Sequence, residues 1–345
     1  AADSVSAIAV DCAFLDIQMP VIDGLDLGER LMSHHPGLVI VYITAHNDYA
    51  TEAFDIGAVD YLLKPIRRER LIRAVDRVIT QVHAKRRLKS PDTSADRRTL
   101  NITCFGRFEV TVSGVPLRWP TRKTTELFAY LLHQRGQFVS KEKVMDDLWP
   151  ELGYDRAKVN LHTTVYRIRQ TFDQHSDRIS IDYTNGAYRM RIKDVGLDLD
   201  DFEVRGQDGG SPPADKAVRI ERAVQAYKGD YLEDASYIWC LGSQEAYRRA
   251  YVGHLKELAS MYMSGGLFSG AIELLETAVK KVPYDMTAWE LLFSACRSAK
   301  DAGPLLVFYD RFRREANSEV GRVMRRALED RFLRTYREIA GKSFK

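Results

Sequence analysis

Three polar side chains end three short apolar runs near the start of the chain. Asp16 follows Cys12-Ala13-Phe14-Leu15, Thr44 follows the run 38–43, and Lys64 follows the run 59–63. A carboxylate, a hydroxyl and an ammonium that converge can accept a phosphoryl group, hydrogen-bond its oxygens and neutralise its charge. Convergence needs a scaffold. Each run has the length of a buried parallel strand, and sites in an open α/β sheet form at the carboxyl ends of such strands. A single Asp after an apolar run is usually a turn residue; the three groups together are far more specific.

A second polar set lies on one helix-length segment, about 156–172. Lys158, Asn160, His162, Thr163, Thr164, Tyr166, Arg167, Arg169 and Gln170 stand apart from an inward stripe of Leu161, Val165, Ile168 and Phe172. Lys and Arg neutralise phosphates, and Arg, Asn, His and Thr can read base edges. The elements around it fit that task. Residues 124–134 read as a helix with Leu127, Phe128, Leu131 and Leu132 on its apolar face. Ser140 is a plausible N-cap for a helix over 141–149 that stops at Pro150. Two alternating runs, 179–183 and 187–192, flank Thr184-Asn185-Gly186, a strong hairpin signal. Strands, three helices and a terminal hairpin make a winged helix-turn-helix, whose third helix enters the major groove.

Composition narrows the class. The chain has 345 residues, 45% hydrophobic and 29% charged, ordinary for folded proteins, and its length suits two or three domains. No apolar stretch approaches the roughly 18 residues of a membrane span and no secretory leader is legible, so the expectation is a cytoplasmic protein without membrane partners. Cys12, Cys104, Cys240 and Cys296 are far apart, without metal-site spacing, and read as reduced thiols. A net charge of +3 requires any basic patch to be local. Gly341-Lys342-Ser343 looks like the end of a phosphate-binding loop, but Tyr336 stands where that loop needs Gly. With no other catalytic motif, the chain is not read as an enzyme.

Leu71, Ile72, Val75, Val78, Ile79 and Val82 repeat at helical steps and close the first region. Lys85-Arg86-Arg87-Leu88-Lys89-Ser90-Pro91 opens a linker. The expected domains are 1–83, a linker over 84–98, 99–194, and 195–345. Residues 100–112 alternate like a strand within the third of these segments, and 205–213 read as a second linker. Beyond Val195 the pattern is helical. Leu255, Leu258, Ala259, Tyr262, Ala271, Leu275, Ala278 and Pro283 fall in tetratricopeptide register, with Gly265-Gly266 at the turn. Trp289, Leu292, Leu305 and Tyr309 continue it in a weaker second copy.

These residues carry three resemblances. Asp16, Thr44, Tyr61 and Lys64-Pro65 resemble the receiver domain of two-component response regulators. This implies Asp16 as phosphoacceptor, Thr44 and Lys64 as phosphate sensors, and Tyr61 as the aromatic that repacks with them. It also implies Mg2+, held by an acidic pair at the end of a first strand. No such pair precedes Asp16, and one carboxylate is a poor cage for a hard cation. The expectation is a receiver that is cropped or a remnant, is not efficiently phosphorylated, and leaves the Asp16 strand at a sheet edge. Val139-Ser140-Lys141, Val165-Tyr166-Arg167-Ile168-Arg169 and Gly186-Ala187-Tyr188-Arg189 resemble the OmpR-type output domain in its Streptomyces antibiotic regulatory protein (SARP) variant. This implies that His162, Thr163, Tyr166 and Arg167 face bases, and that Arg169, Thr184 and Asn185 approach phosphates or the minor groove; Lys158 is read as a phosphate contact. Asp198–Phe202, the segment 227–232, and Tyr309 with Arg311 resemble the bacterial transcriptional activator domain.

The expected fold is multidomain: a partial α/β flavodoxin-like receiver, an α+β winged helix-turn-helix and an all-α TPR-like repeat domain. The expected function is a two-component transcription regulator in phosphorelay signal transduction, binding double-stranded promoter DNA. Its implied partners are a sensor histidine kinase, RNA polymerase and a second copy in a homodimer. The alternative is a phosphorylation-independent scaffold whose winged helix binds protein.

Overall fold

The computed structural model describes residues 10–19, 22–35, 37–45, 59–88, 99–203, 213–315 and 319–340. The chain divides into two compact units, Ala1–Leu100 with Thr111–Val195, and Asn101–Val110 with Gly196–Lys345.

In the first unit, β1 (Cys12–Asp16), β2 (Val39–Thr44) and β3 (Asp60–Leu63) form a parallel sheet in that order. Asp16 is opposite Ile43, and Thr44 is opposite Leu63. The three expected strands are present, each ending where its polar group begins, with β1 at an edge among the described residues. Helix α1 (Gly24–His34) starts at Asp23, whose carboxylate accepts the Leu25 N–H at 2.8 Å. Its Leu25, Leu27, Leu31 and Met32 pack with Leu15, Ile40, Tyr42 and Tyr61. A Cβ on Gly28 would stand 2.1 Å from the Tyr42 hydroxyl, so only glycine lets α1 lie this close to the sheet.

Helix α2 (Arg68–Leu88) packs Ala74 and Val78 with Val39, Val41 and Leu62, and Val82 joins them half-buried. The helix is as expected, but its apolar stripe is not all inward. Leu71, Ile72, Val75 and Ile79 are exposed, because the residues that meet the sheet are spaced by four from Ala74. Helix α2 extends to Leu88, into the expected linker; residues 89–98 lie outside those described, as do 204–212, which include most of the expected second linker.

The winged helix completes this unit. Helix α3 (Arg122–His133) is capped by Thr121. Helix α4 (Lys141–Leu148) is capped by Ser140, whose hydroxyl accepts the Lys143 N–H at 3.2 Å. Helix α5 (Tyr154–Thr171) starts two residues earlier than its pattern suggested. Leu161, Val165, Ile168 and Phe172 are all buried, as the spacing predicts, and Phe172 stacks on Phe128 at 5.2 Å. Strands β8 (Ile179–Thr184) and β9 (Ala187–Ile192) form the hairpin, and β7 (Val139–Ser140) joins the free side of β9. Its two loop residues have φ of 51° at Asn185 and 76° at Gly186, the left-handed pair that a tight hairpin with right-handed twist demands.

The second unit takes a segment expected to belong to the winged helix. The run 100–112 is two strands, β4 (Leu100–Thr103) and β5 (Glu109–Val112), rather than one, and β5 pairs with the short β6 (Val115–Pro116). Between them, the N–H groups of Cys104 and Phe105 donate to the Asp198 carboxylate at 2.7 and 2.9 Å. The Phe105 ring sits 4.6 Å from Phe202 and 4.9 Å from Tyr227. These contacts are why Asn101–Val110 clusters with the helical region. Helices run over Asp198–Phe202 (α6), Pro213–Ala226 (α7), Leu241–Ser264 (α8), Phe268–Lys281 (α9), Met286–Ala299 (α10), Gly303–Glu315 (α11) and Glu319–Ala340 (α12). Leu255, Leu258, Ala259, Ala271, Leu275 and Ala278 are buried where α8 and α9 pair, and Tyr309 of α11 stacks on Phe332 of α12 at 4.1 Å. The TPR-like register thus marks packing positions. No helix among the described residues is long and apolar enough to cross a membrane.

Candidate nucleic-acid interface and phosphoacceptor corner

The carboxyl edge of the parallel sheet gathers the first polar set. Asp16 ends β1, Thr44 ends β2, and Lys64 follows β3, its N–H donating to the Thr44 carbonyl at 2.7 Å. The Lys64 ammonium donates to Asp16. That hydrogen bond, with the ammonium charge, holds the Asp16 carboxyl below its usual range. Both side chains reach solvent, with 31% of Asp16 and 47% of Lys64 exposed. Thr44 and Tyr61 are buried behind them. The described residues do not fit a divalent metal. Asp16 supplies one carboxylate already bonded to Lys64, and no cluster of three or more His, Cys, Asp or Glu able to hold an ion occurs among them.

Helix α5 is set on the winged-helix core by its Leu161–Phe172 stripe, which fixes where its other faces point. One of those faces meets α1 of the same unit. Lys158 Nζ lies 3.1 Å from Asp23 and 3.3 Å from Asp26. His162 has Nε2 3.6 Å from Asp26 and Nδ1 3.4 Å from Glu29. The Arg169 guanidinium donates to Glu29 at 2.6 Å and to the Ile181 carbonyl at 3.0 Å. From α4, Lys141 donates to Asp26 at 2.7 Å, and the Tyr183 hydroxyl of β8 donates to the same carboxylate at 3.0 Å. Val159 packs into the α1–sheet core, with Tyr166 half-buried against it.

The electrostatics are those of a largely buried charge network, in which His162 Nε2 and Glu29 Oε1 have charged neighbours but no hydrogen bond. Burial alone would raise Asp26, but the neighbouring His162 imidazole, a hydrogen bond from Lys141 and the Lys158 charge hold it far below the carboxylate range. Glu29, 1% exposed, is likewise pushed up by burial and pulled below its ordinary value by Arg169 and His162. For His162 burial lowers the pKa, yet Asp26 and Glu29 outweigh it and the net shift is upward. A cavity of about 570 Å³ opens along this seam, lined by Met32, Leu38, Tyr166, Arg169 and Ile181 among others.

The expected DNA-facing residues are therefore brought onto one helix and wing, but are not presented alike. His162, Thr163 and Lys158 are buried, while Tyr166, Arg167 and Arg169 are half-buried. Only Thr184 and Asn185, at the hairpin tip, are exposed. An open, outward recognition face is not what this conformation shows, because α1 covers it. Sequence reasoning missed Asp23, Asp26, Glu29 and Lys141. Their one signal is acidic residues three apart on an amphipathic helix, which ordinarily marks a solvated face.

Comparison with known proteins agrees with this layout. Residues 1–76 match the response regulator receiver domain, 118–189 the C-terminal domain of transcriptional regulatory proteins, and 197–335 the bacterial transcriptional activator domain. An uncharacterized response regulatory protein of Vibrio cholerae is 40% identical over 72 residues, 21% of this chain and 28% of that protein. The chain thus spans less than a third of that relative's length. The response regulator SaeR of Staphylococcus aureus is 28% identical over 173 residues, 48% of this chain and 72% of SaeR. The solved structure of Mycobacterium tuberculosis EmbR, in complex with a low-affinity phosphopeptide, is similar in fold. Its TM-score is 0.54 at 19% identity, covering 71% of this chain and 70% of that one.

Proposed function

We propose that this chain, which joins a response-regulator receiver segment, an OmpR-type winged helix and a bacterial transcriptional activator domain of SARP type, is a regulator that binds promoter DNA. The observation that carries the reading is the two-faced α5. One face is locked into a winged-helix core, the other carries Lys158, His162, Tyr166 and Arg169, and an exposed Thr184-Asn185 hairpin tip stands beside it. That arrangement serves a major-groove helix with a flanking wing. Arg167 and His162 would read base edges; Lys158, Arg169, Thr184 and Asn185 would hold the backbone.

In the same reading Asp16 is the phosphoacceptor, sensed through Thr44, Tyr61 and Lys64, with a sensor histidine kinase as donor and the cytoplasm as the setting. The described residues do not complete a Mg2+ cage. The helical unit would serve self-association or contact with RNA polymerase, since its legible motifs are packing motifs. Oligomeric state is best read on the full chain. Ending the chain at Asp194 would strip Phe105 of its Phe202 and Tyr227 partners.

The test is duplex binding by the full chain as a function of salt. Phosphate neutralisation releases counterions, so the affinity should fall steeply as salt rises. An affinity indifferent to salt would overturn the reading. One observation favours a second reading, a winged helix that binds protein: here its cationic face is bound to protein carboxylates. A pull-down partner that survives a salt concentration dissociating all duplex would support that reading instead.

A further inference from the structure

We propose that the cavity of about 570 Å³ in the first unit binds a small hydrophobic amine that carries an adjoining amide. The apolar walls take the body, the free edge of β8 takes the amide, and Asp173 with Asp177 takes the ammonium. Such a site is independent of DNA binding.

Size and lining point to a small molecule. The volume falls within the range of small-molecule sites, about 300–1,000 Å³, which are mostly apolar with a few fixed polar groups. Every lining residue belongs to the first unit. Met32, Leu38, Ile179, Ile181 and the Tyr166 ring supply apolar carbon. The Tyr166 ring is held in place, since its hydroxyl accepts from Gln170 of its own helix and from Gln81 of α2 at 3.5 Å.

The edge of β8 supplies the fixed polar groups. In the sheet order β7-β9-β8 it is an outer strand. Ile179, Ser180, Ile181 and Asp182 all line the cavity. Side chains alternate between the faces of a sheet, so four consecutive residues meet one cavity only if it runs along the strand's edge. The ladder decides which backbone groups point there. The Lys193 N–H donates to the Arg178 carbonyl at 2.8 Å, and Ser180 and Asp182 lie opposite Arg191 and Arg189. Bonded and non-bonded pairs alternate along an antiparallel ladder. Arg178, Ser180 and Asp182 therefore bond to β9, while Ile179, Ile181 and Tyr183 turn their N–H and C=O groups outward.

Two of those outward carbonyls are already used. Arg169 donates to the Ile181 carbonyl at 3.0 Å and the Ser33 hydroxyl to the Tyr183 carbonyl at 3.4 Å. The Ile179 carbonyl and the Ile181 N–H have no hydrogen-bond partner among the described residues. Both residues are buried, and a buried backbone group is costly to leave unpaired. The two groups are neighbours on one edge, an acceptor beside a donor, and together they complement a single amide. A peptide strand would need a longer run of free groups, and Arg169 and Ser33 interrupt that run.

Charge decides the sign of the ligand. Arg169 is committed to Glu29, and Arg191 to Asp182. Asp173 and Asp177 also line the cavity, are exposed, and have no ion-pair partner among the described residues. An anion would compete for arginines that are already paired and would be repelled by two unpaired carboxylates. A cation meets those carboxylates directly.

The experiment titrates the full chain with L-tryptophanamide, an indole body with an ammonium and an amide, by calorimetry and saturation-transfer NMR. Three analogues isolate its parts. Tryptamine lacks the amide, N-acetyl-L-tryptophanamide lacks the charge, and N-acetyl-L-tryptophan reverses it. L-tryptophanamide should bind saturably. Tryptamine should bind about two- to tenfold more weakly, for the lost hydrogen bonds. The neutral analogue should lose about two- to fivefold, for a solvent-exposed ion pair, and the anion should bind least. Asp173→Asn/Asp177→Asn, at two exposed positions, should erase the preference for the cation and leave the neutral analogue's affinity unchanged. Ser180→Tyr, which fills the cavity beside the β8 edge, should abolish binding of all four. If its urea midpoint shows that it does not fold, Ser176→Trp at the exposed rim takes its place. No saturable binding of L-tryptophanamide up to millimolar concentration, or equal binding by wild type and the filled variant, would overturn the site. Binding led by the anion and strengthened in the double variant would overturn the amine as its ligand.

Discussion

The first unit makes the same kind of bond, carboxylate to cation, in two places with opposite physical characters. At the sheet edge, Asp16 and Lys64 meet with 31% and 47% of their side chains exposed. At the α1–α5 seam, Glu29 and Arg169 meet with 1% and 15% exposed. An exposed pair trades protein for water at little cost, so either partner is readily exchanged for another charged group. A buried network resists the loss of any single member and is best exchanged as a set. The difference teaches that chemistry alone does not separate an exchangeable ion pair from a locked network; dielectric does.

The largest effect that would break this comparison is on stability. Glu29→Ala leaves the Arg169 charge buried without its carboxylate, and should cost on the order of 3–5 kcal/mol, read as a lower urea midpoint of the full chain. A loss under about 1 kcal/mol would put the seam in the same class as the exposed corner.

Next comes DNA affinity. Arg167 is half-buried beside the seam, and Arg167→Ala should cost about 1–3 kcal/mol on a preferred duplex and relax base preference. Unchanged binding to preferred and random duplexes alike would remove α5 as the reader.

A smaller effect is set by pH. His162 is faced by Asp26 and Glu29 from α1 and by Tyr188 from β9, with Lys158 and Arg169 on its own helix. Its folded pKa is raised above the ordinary 6.5. The charged imidazole therefore contributes fully to the stability of the folded seam below about pH 6.5, and that share is lost as pH rises through the raised value. Asp26 and Glu29 are shifted the other way, and their share is lost only on acidification below the ordinary 3.8 and 4.5. The urea midpoint of the full chain, referenced to a His162→Gln control, should therefore fall on going from about pH 6 to about pH 8.5. A flat or opposite profile would show that His162 is not a charged member of the seam.

The smallest expected effect lies at the corner. Asp16→Asn removes a solvent-exposed ion pair and should change stability by about 0–1 kcal/mol in urea titration. A loss as large as that for Glu29→Ala would erase the contrast between the two sites.

Much of the architecture was legible before any coordinates. The Asp16, Thr44 and Lys64 strand ends, the Ser140 cap, the Leu161–Phe172 stripe and the Asn185-Gly186 hairpin all stand where local rules put them. Each depends on neighbours a few residues away: a capping oxygen, a helical repeat, a pair of positive φ angles. The comparisons bear out the domain order but say nothing of the individual roles at Asp16 or along α5.

What only the tertiary structure decided involves partners far apart in sequence. Asp26 and Lys158, or Glu29 and Arg169, are separated by more than a hundred residues, and an acidic helix face looks the same in sequence whether water or a cation covers it. Phe105 reads as a strand residue until Asp198 and Tyr227 claim it. The exposed Ile72 and Ile79 of α2 belong to a helix that the pattern found correctly but whose buried side it could not choose. Sequence determined which segments form helices, strands and turns, because those choices are made by local backbone and capping energies. Tertiary structure determined which polar faces are dry, because burial is a property of what packs against a face and not of the face itself.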